Sequence, residues 1–408
     1  MRCVLTVAWG FSPLDEELGL LAGSLTPTLQ NYVTHLGSWI PFRKVGHVLE
    51  QMLGVVLSEP TVRRGTEKHG ASYEAVQTAA VTRLEKEAPE PPAGPPTQLL
   101  SVDGAMVPLV GGEWAEVKTM VIGEITTTPT ATGEPHVRSE NLSYFSRLTD
   151  SDTFQRLALV ETQRRGVETA GQVIAPTDGA VWIQGFLDYH RPDAVRILDF
   201  PHAAEYVAHI GRAQGDAESA AFQTWLTASL HTLKHAGATA LLPELQTQVV
   251  THPDQPELAE ALAYLEKRLS MMDYPTYQQR GWPIGSGSVE SANKVVVEAR
   301  LKGAGMHWAR AHINPMLSLR NAVCNDRWAE AWQELTTHRR RQRRQRYLTR
   351  AHLRTVAPLP PPLSAKPSPA ATTTDAAPAK KPWRPADDHP WRKSLNPSAS
   401  RRSRHAKK

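Results

Sequence analysis

Apolar residues recur at helical spacing through the first 86 residues. The clearest unit is Phe42, Val45, Leu49 and Leu53, one side of a helix that Gly54 ends. Ser58 opens a second helix with Pro60 in its first turn, so the pair has a helix-turn-helix outline. That second helix carries Arg63, Arg64 and Lys68 on a face suited to a DNA major groove. Gly65 within it costs about 1 kcal/mol relative to Ala. The periodicity breaks over EAPEPPAGPPT, residues 87–97, where prolines and acidic residues suit neither helix nor strand and mark a domain boundary. Leu99–Val110 and Trp114–Ile125 then read as strands joined at Gly111-Gly112, a hairpin. A helix is expected over 152–170, capped by Ser151 or Asp152. A short strand Gln172–Ala175 leads into Thr177-Asp178-Gly179, and a further strand, Ala194–Leu198, ends at Asp199.

From Ala203 to about Arg280 the pattern is helical again, with Phe222, Trp225, Leu226 and Leu230, then Leu258, Leu262, Leu265 and Leu269. This long helical stretch interrupts an alternating α/β pattern and reads as an insertion between the fourth strand and Glu290. The turn Gly285-Ser286-Gly287-Ser288 launches a helix at Val289, and more helix follows over Pro315–Leu335 with Leu317, Trp328 and Trp332 packing inward. RRRQRRQR, from Arg339 to Arg346, extends that helix as a basic stripe, whereas the Pro-, Ala-, Ser- and Arg-rich text from Pro358 buries too little apolar area to order itself. The expected divisions are 1–86 helical, 87–97 linker, 98–202 first part of an α/β core, 203–282 helical insertion, 283–337 final part of the core, and 338–408 a disordered basic tail.

Composition narrows the classes. With 40% hydrophobic residues and no run of about 18 apolar ones, a membrane span is not expected. Two cysteines, Cys3 and Cys324, make no disulfide framework and suit a reducing cytoplasm, and no secretory leader pattern opens the chain. The formal charge of +5 hides a division: residues 339–408 hold 19 Lys and Arg against 3 Asp and Glu, leaving 27 basic and 38 acidic residues upstream. A cationic tail on an acidic body points to a polyanion partner.

Three carboxylates stand at the ends of expected elements: Asp103 and Asp178, each followed by Gly after a strand, and Glu290 in the first turn after GSGS. Singly these are common turn and helix-start residues. Together they match two-metal phosphoryl chemistry, in which carboxylates from different elements converge on hard cations. Lys294 lies one turn beyond Glu290, Asn293 offers a neutral donor, and Arg300 and Lys302 extend a basic flank. GSGSVES lacks the Lys-Ser/Thr ending of a P-loop, which disfavours nucleotide hydrolysis. Asp199 and His202, in LDFPH, form either a metal pair or a clamp that positions the site.

The blocks LLSVDGAMVPLVGGEWAEVKTMVIGE, TDGAVWI, LDFPH and GSGSVESANKVVVEARLKGAGMHW, in order over residues 98–310, resemble those of Kra-type bacterial insertion-sequence transposases, a group related to the mutator-like DDE transposases. GFSPLDEELGL and the stretch from Phe42 to Gly70 look similar as well. The resemblance implies an RNase H-like catalytic core split by a helical insertion. It also implies Mg²⁺ or Mn²⁺ as cofactor, and DNA transposition by strand cleavage and strand transfer at the ends of a mobile element. Asp103, Asp178 and Glu290 take the places of the catalytic, metal-binding triad. Asp199 and His202 fall in a block associated with the site and with DNA handling, and Asp199 is the rival for second catalytic Asp. The implied partners are transposon-end and target DNA and further copies of the chain, in a bacterial, nucleoid-associated setting. The competing expectations are a catalytically inactive DNA-binding descendant and a structure-selective nuclease on the same core.

Overall fold

In the computed structural model, residues 25–129, 135–212 and 219–356 are described. Helices α1 (Pro27–Trp39), α2 (Phe42–Leu53) and α3 (Glu59–Glu87) open this part. Gly54, at φ +66°, ends α2 in the left-handed conformation glycine tolerates, and Ser58 precedes α3, as the sequence predicts. The pair is not a freestanding reading head, however. α3 is 29 residues long, and it buries Val62, Thr66, His69, Gly70, Tyr73 and Val81. Val33, Phe42, Val45, Leu49 and Val62 share one core with Ala105, Val107, Val117, Val296, Val297 and Leu317.

The expected boundary at 87–97 is a docked strap. Pro92 accepts a hydrogen bond from Thr169 Oγ1 at 2.5 Å, and the Gly94 N–H donates to the same hydroxyl at 2.8 Å. The carbonyls of Pro95 and Pro96 take the N–H groups of Gly171 and Gln172 at 3.0 and 2.9 Å. Prolines donate nothing but their carbonyls accept, so a proline-rich stretch pairs well with a segment offering free N–H groups. Residues 1–351 form one unit; of the second, residues 352–408, the described part is the last turn of a helix.

The sheet has five strands, β1 (Thr97–Pro108), β2 (Trp114–Pro129), β3 (Pro135–Arg147), β4 (Gln172–Thr177) and β5 (Val195–Leu198), in the order β3-β2-β1-β4-β5. The first three are antiparallel, and β4 and β5 run parallel to β1. One face, with Leu100, Val102, Met120, Ile122 and Phe145, packs on α4 (Ser151–Arg164) and α5 (Val181–His190) through Phe154, Ala158, Ile183, Phe186 and Leu187. Asp150 caps α4, accepting from Thr153 N at 2.8 Å, in place of the expected Ser151 or Asp152. α4 stops at Arg164 rather than reaching 170, just ahead of Gly166 at φ +62°.

β3 is a strand that hydropathy does not announce, because its polar text, HVRSENLSYFSR, shows no apolar alternation. It is held by backbone pairing to β2 and by asparagine amides that accept its N–H groups: Asn325 from Tyr144 at 2.8 Å and Asn321 from Ser146 at 3.0 Å. Side-chain amides here satisfy the open edge of the sheet. The helical block is therefore inserted after the fifth strand, not the fourth.

That block comprises α6 (Phe200–Gly211), α7 (Ala220–His235), α8 (Ala238–Thr251), α9 (Pro256–Lys267) and α10 (Tyr274–Gln279). It packs through Val207, Leu233, Leu241, Leu265 and Tyr274 against Ile174, Ile197 and Leu198 of the sheet. Next come α11 (Gly287–Ala292), a π-helical turn over Asn293–Glu298, α12 (Ala299–Leu301), α13 (Arg310–Cys324) and α14 (Trp328–Val356). Leu317 is fully buried; Trp328 and Trp332 pack half-buried beside Tyr73, Ala331 and Leu335. α14 corrects the expected start of the disordered tail: the Arg- and Gln-rich stretch after 338, made of good helix formers, is helical to Val356. The rest of the tail, and Cys3 and GFSPLDEELGL, lie outside the described residues. No helix among the described residues is long and apolar enough to cross a membrane.

Candidate active site

Asp103 lies mid-way along β1, on the sheet face where Leu99 and Val121 meet Val289 and Ala292 of α11. Its Oδ1 accepts the Gly104 N–H at 2.7 Å and its Oδ2 accepts Asn293 Nδ2 at 2.9 Å. Burial first, and then the charges of Asp178 and Glu290, push the Asp103 carboxyl up to about 6; the two hydrogen bonds offset only part of this. Asp103 thus feels the charges of two carboxylates from separate parts of the chain.

Asp178 follows β4, the central parallel neighbour of β1. Its Oδ1 accepts the Ala180 N–H at 2.8 Å, and Gly179 continues the turn at φ +79°. The helical block grips this loop from outside. The Tyr264 hydroxyl donates to the Asp178 carbonyl, and Arg268 Nη2 donates to the Gly179 carbonyl at 2.8 Å. The Arg268 guanidinium lies 3.6 Å from the centre of the Tyr264 ring, and Tyr264 stacks on Tyr206 at 4.0 Å. A Cβ on Gly179 would meet the Tyr264 hydroxyl at 2.9 Å, so close approach as well as φ selects glycine. Sequence reasoning misses both Tyr264 and Arg268; their i, i+4 spacing is legible, but nothing local says which loop they reach.

Glu290 is exposed in the first turn of α11 and accepts from Ser286 Oγ at 3.1 Å. The GSGS turn that carries it is tied back by Asp199. Asp199 is only 5% exposed, with both oxygens engaged: Oδ1 takes the Ser286 N–H at 2.6 Å and Oδ2 takes the His202 N–H at 3.0 Å, capping α6. It therefore joins the end of β5 to the turn before Glu290. The His202 ring packs edge-on to Tyr206 and Tyr264 at 5.3 and 5.8 Å.

The flanking cations divide. Lys294 is exposed one turn past Glu290, and Lys302 is exposed and paired with Glu298 at 2.8 Å. Arg63, Arg64 and Lys68 are exposed on α3. Burial, followed by Arg339 and Arg346 of α14, holds Lys68 below the usual lysine range, so the two helices contribute to one basic region. Arg300, expected on a DNA-facing flank, is instead 1% exposed. Its Nε donates to the Gly37 carbonyl at 2.9 Å, and its guanidinium lies 4.6 Å from the Phe42 ring and 5.2 Å from that of Trp308. The α11–α12 run turns this position inward onto α1 and α2, where an aromatic sandwich accepts a guanidinium.

As the side chains stand, no group of three or more His, Cys, Asp or Glu among the described residues is arranged to hold a metal ion. The donor set nonetheless suits a hard cation: it is all oxygen and like-charged, with Asp103 destabilised in its ionised form. Carboxylates of like charge repel one another, and Glu290 is exposed. No protein-family model matches the chain, and no curated protein matches it either.

Proposed function

We propose that the chain is a DDE-type DNA transposase that cleaves and joins strands at the ends of an insertion sequence, on an RNase H-like core with a helical insertion. One observation carries the reading: Asp178, 75 residues after Asp103, and Glu290, 112 residues further on, add their charges to burial in raising the Asp103 carboxyl. What supports the fold is the mixed sheet of three antiparallel strands followed by two parallel ones, with helices on both faces and the helical block between β5 and Glu290. The resemblance of the four motif blocks to Kra-type transposases supports the chemistry.

In this reading Asp103, Asp178 and Glu290 hold Mg²⁺ or Mn²⁺, which when bound activates a water or 3′-hydroxyl and stabilises the leaving oxygen of an in-line displacement. The protein's own part is to hold oxygens in place. The Gly104 N–H fixes Asp103, the Ala180 N–H fixes Asp178, and Asp199 fixes the turn that presents Glu290. Asp199 is thus the positioning residue and Asp178 the second catalytic carboxylate. Arg63, Arg64 and Lys68, with Arg346, are exposed cations placed to meet the DNA backbone. No protein group becomes covalently attached to DNA.

The test is a strand-cleavage assay on labelled DNA flanking the gene, with Mg²⁺ or Mn²⁺, against EDTA and Asp103→Asn. Cleavage at a defined end that both controls abolish is expected. Binding without cleavage under either metal overturns the reading in favour of an inactive DNA-binding descendant, and cleavage of branched DNA regardless of end sequence favours the nuclease.

A further inference from the structure

Asn293 is 5% exposed and sits where α11 passes into the π-helical turn Asn293–Glu298. Such turns add one residue to a helical cycle and shift the side chains that follow. Only its amide nitrogen can donate, so the 2.9 Å bond from Nδ2 to Asp103 Oδ2 fixes which way the amide faces. That leaves Oδ1 on the other side of the same amide, buried and without any hydrogen-bond partner. A buried amide oxygen with no partner forgoes the hydrogen bonds it would make in water. Water, a hydroxyl or a cation would each make up that loss, and the one carboxylate shown to meet this amide, Asp103, has no proton to offer when ionised.

Neutral amide oxygens are ordinary ligands of hard divalent cations, and they add a donor without adding repulsion. Three carboxylates already supply the negative charge here, so a fourth charge would worsen the crowding that a neutral oxygen avoids. The nitrogen of the same side chain meanwhile keeps the Asp103 carboxylate oriented. One residue, three positions after Glu290, thereby couples β1 to the run that carries Glu290 and keeps a buried oxygen with no partner on the same side chain.

We infer that Asn293 is a neutral fourth oxygen ligand of the divalent cation held by Asp103, Asp178 and Glu290, with its amide nitrogen orienting Asp103. The inference rests on the proposed metal-dependent reading of the site.

It is tested by titrating the full chain with Mn²⁺ alone and following free Mn²⁺ by electron paramagnetic resonance. Asn293→Leu, nearly the same shape without polar atoms, is compared with Asn293→Asp, which keeps the oxygen and loses the donor. Melting in EDTA checks that each variant is folded. The expected result is Mn²⁺ binding weakened about 10–100-fold in Asn293→Leu, and less in Asn293→Asp, which keeps an oxygen but loses the donor to Asp103. Equal weakening in both variants overturns the ligand role and leaves Asn293 as a donor to Asp103 only. Unchanged binding in Asn293→Leu, or no Mn²⁺ binding by the unaltered chain, overturns it outright. If Mn²⁺ binds as expected but no DNA is cut, the transposase reading fails while the ligand assignment stands.

Discussion

Asp103 and Arg300 are both charged side chains withdrawn from water, and the protein treats them in opposite ways. Arg300 is set against a backbone carbonyl and two aromatic rings; burial, then its neighbour Arg320, lower it only to about 10. Arg320 is likewise spent on backbone, donating to the carbonyls of Val296 and Ser38 at 3.1 Å each. Arg300 stays charged at neutral pH, and both side chains tie the α11–α12 run to α1. Asp103 has two N–H donors and two carboxylate neighbours, and its carboxyl rises to about 6, where small changes alter its charge. Buried charge set against acceptors of the opposite polarity fastens a fold. A buried carboxyl beside two others is relieved by a proton or by a cation, which is what sets Asp103 apart from Arg300.

The largest expected effect tests which carboxylates belong to the chemical region. Asp178→Asn lowers metal-dependent cleavage at least about 10³-fold, the scale of a lost metal ligand worth several kcal/mol, with little change in melting temperature. Asp199→Asn keeps cleavage within about tenfold and lowers the melting temperature, because it disturbs a cap and the tie to Ser286. Paired cleavage and melting measurements decide it; the reverse pattern makes Asp199 the second catalytic Asp.

Next, Arg300→Ala destabilises the fold by about 2–4 kcal/mol, since it removes a sandwiched side chain and leaves the Gly37 carbonyl unpaired. Arg64→Ala, on the exposed face of α3, changes stability by under about 0.5 kcal/mol. Denaturant titration separates them, and equal effects would erase the distinction between the two arginines.

A third effect is pH-dependent. Asp103 is raised above its unfolded value, so in metal-free protein its contribution to stability is full below about pH 4 and is lost as pH rises through about 6. Melting temperatures in EDTA over that window should fall more steeply for the unaltered chain than for Asp103→Asn, by a difference on the order of 2 kcal/mol at pH 7. The buried His190 runs the other way: burial lowers it to about 4, so its contribution is present above about 6.5 and lost as pH falls toward 4. Parallel curves for the two proteins between pH 4 and 7 would mean that burial and its carboxylate neighbours do not raise Asp103. The smallest effect belongs to Arg63→Ala, Arg64→Ala and Lys68→Ala. Each should weaken DNA binding and make the salt dependence of log K shallower, by up to about 0.9 for every phosphate that the variant no longer neutralises. Titrations at several salt concentrations measure it, and an unchanged slope in all three variants would place the DNA elsewhere.

Much of the fold is legible in the sequence because it is local. Gly54 and Ser58 announce the end of α2 and the start of α3, Gly111-Gly112 the hairpin, and Asp-Gly the loop after β4. Asp178 and Glu290 stand out by their positions at element ends, whereas Asp103, expected to close a strand before Gly104, lies inside β1, because the ladder to β2 runs on to Pro108. What escapes depends on long-range partners: β3 is polar and stands through Asn321 and Asn325, some 175 residues away, and the proline strap docks on Thr169. Arg300 is misplaced by sequence alone for a related reason, since an arginine near a candidate site reads as a DNA contact until Phe42 and Trp308 close around it. The buried orientation of Asn293 depends on Asp103, 190 residues distant, and no spacing rule reports it.

The convergence of Asp103, Asp178 and Glu290 on one cation is tested most directly by a crystal structure of the full chain soaked in Mn²⁺, with anomalous scattering recorded at the manganese edge. The expected result is an anomalous peak ligated by these three carboxylates, with Asp199 still bound to the Ser286 and His202 N–H groups. A peak ligated by Asp199 and His202 instead, or ordered carboxylates with no peak between them, would contradict it.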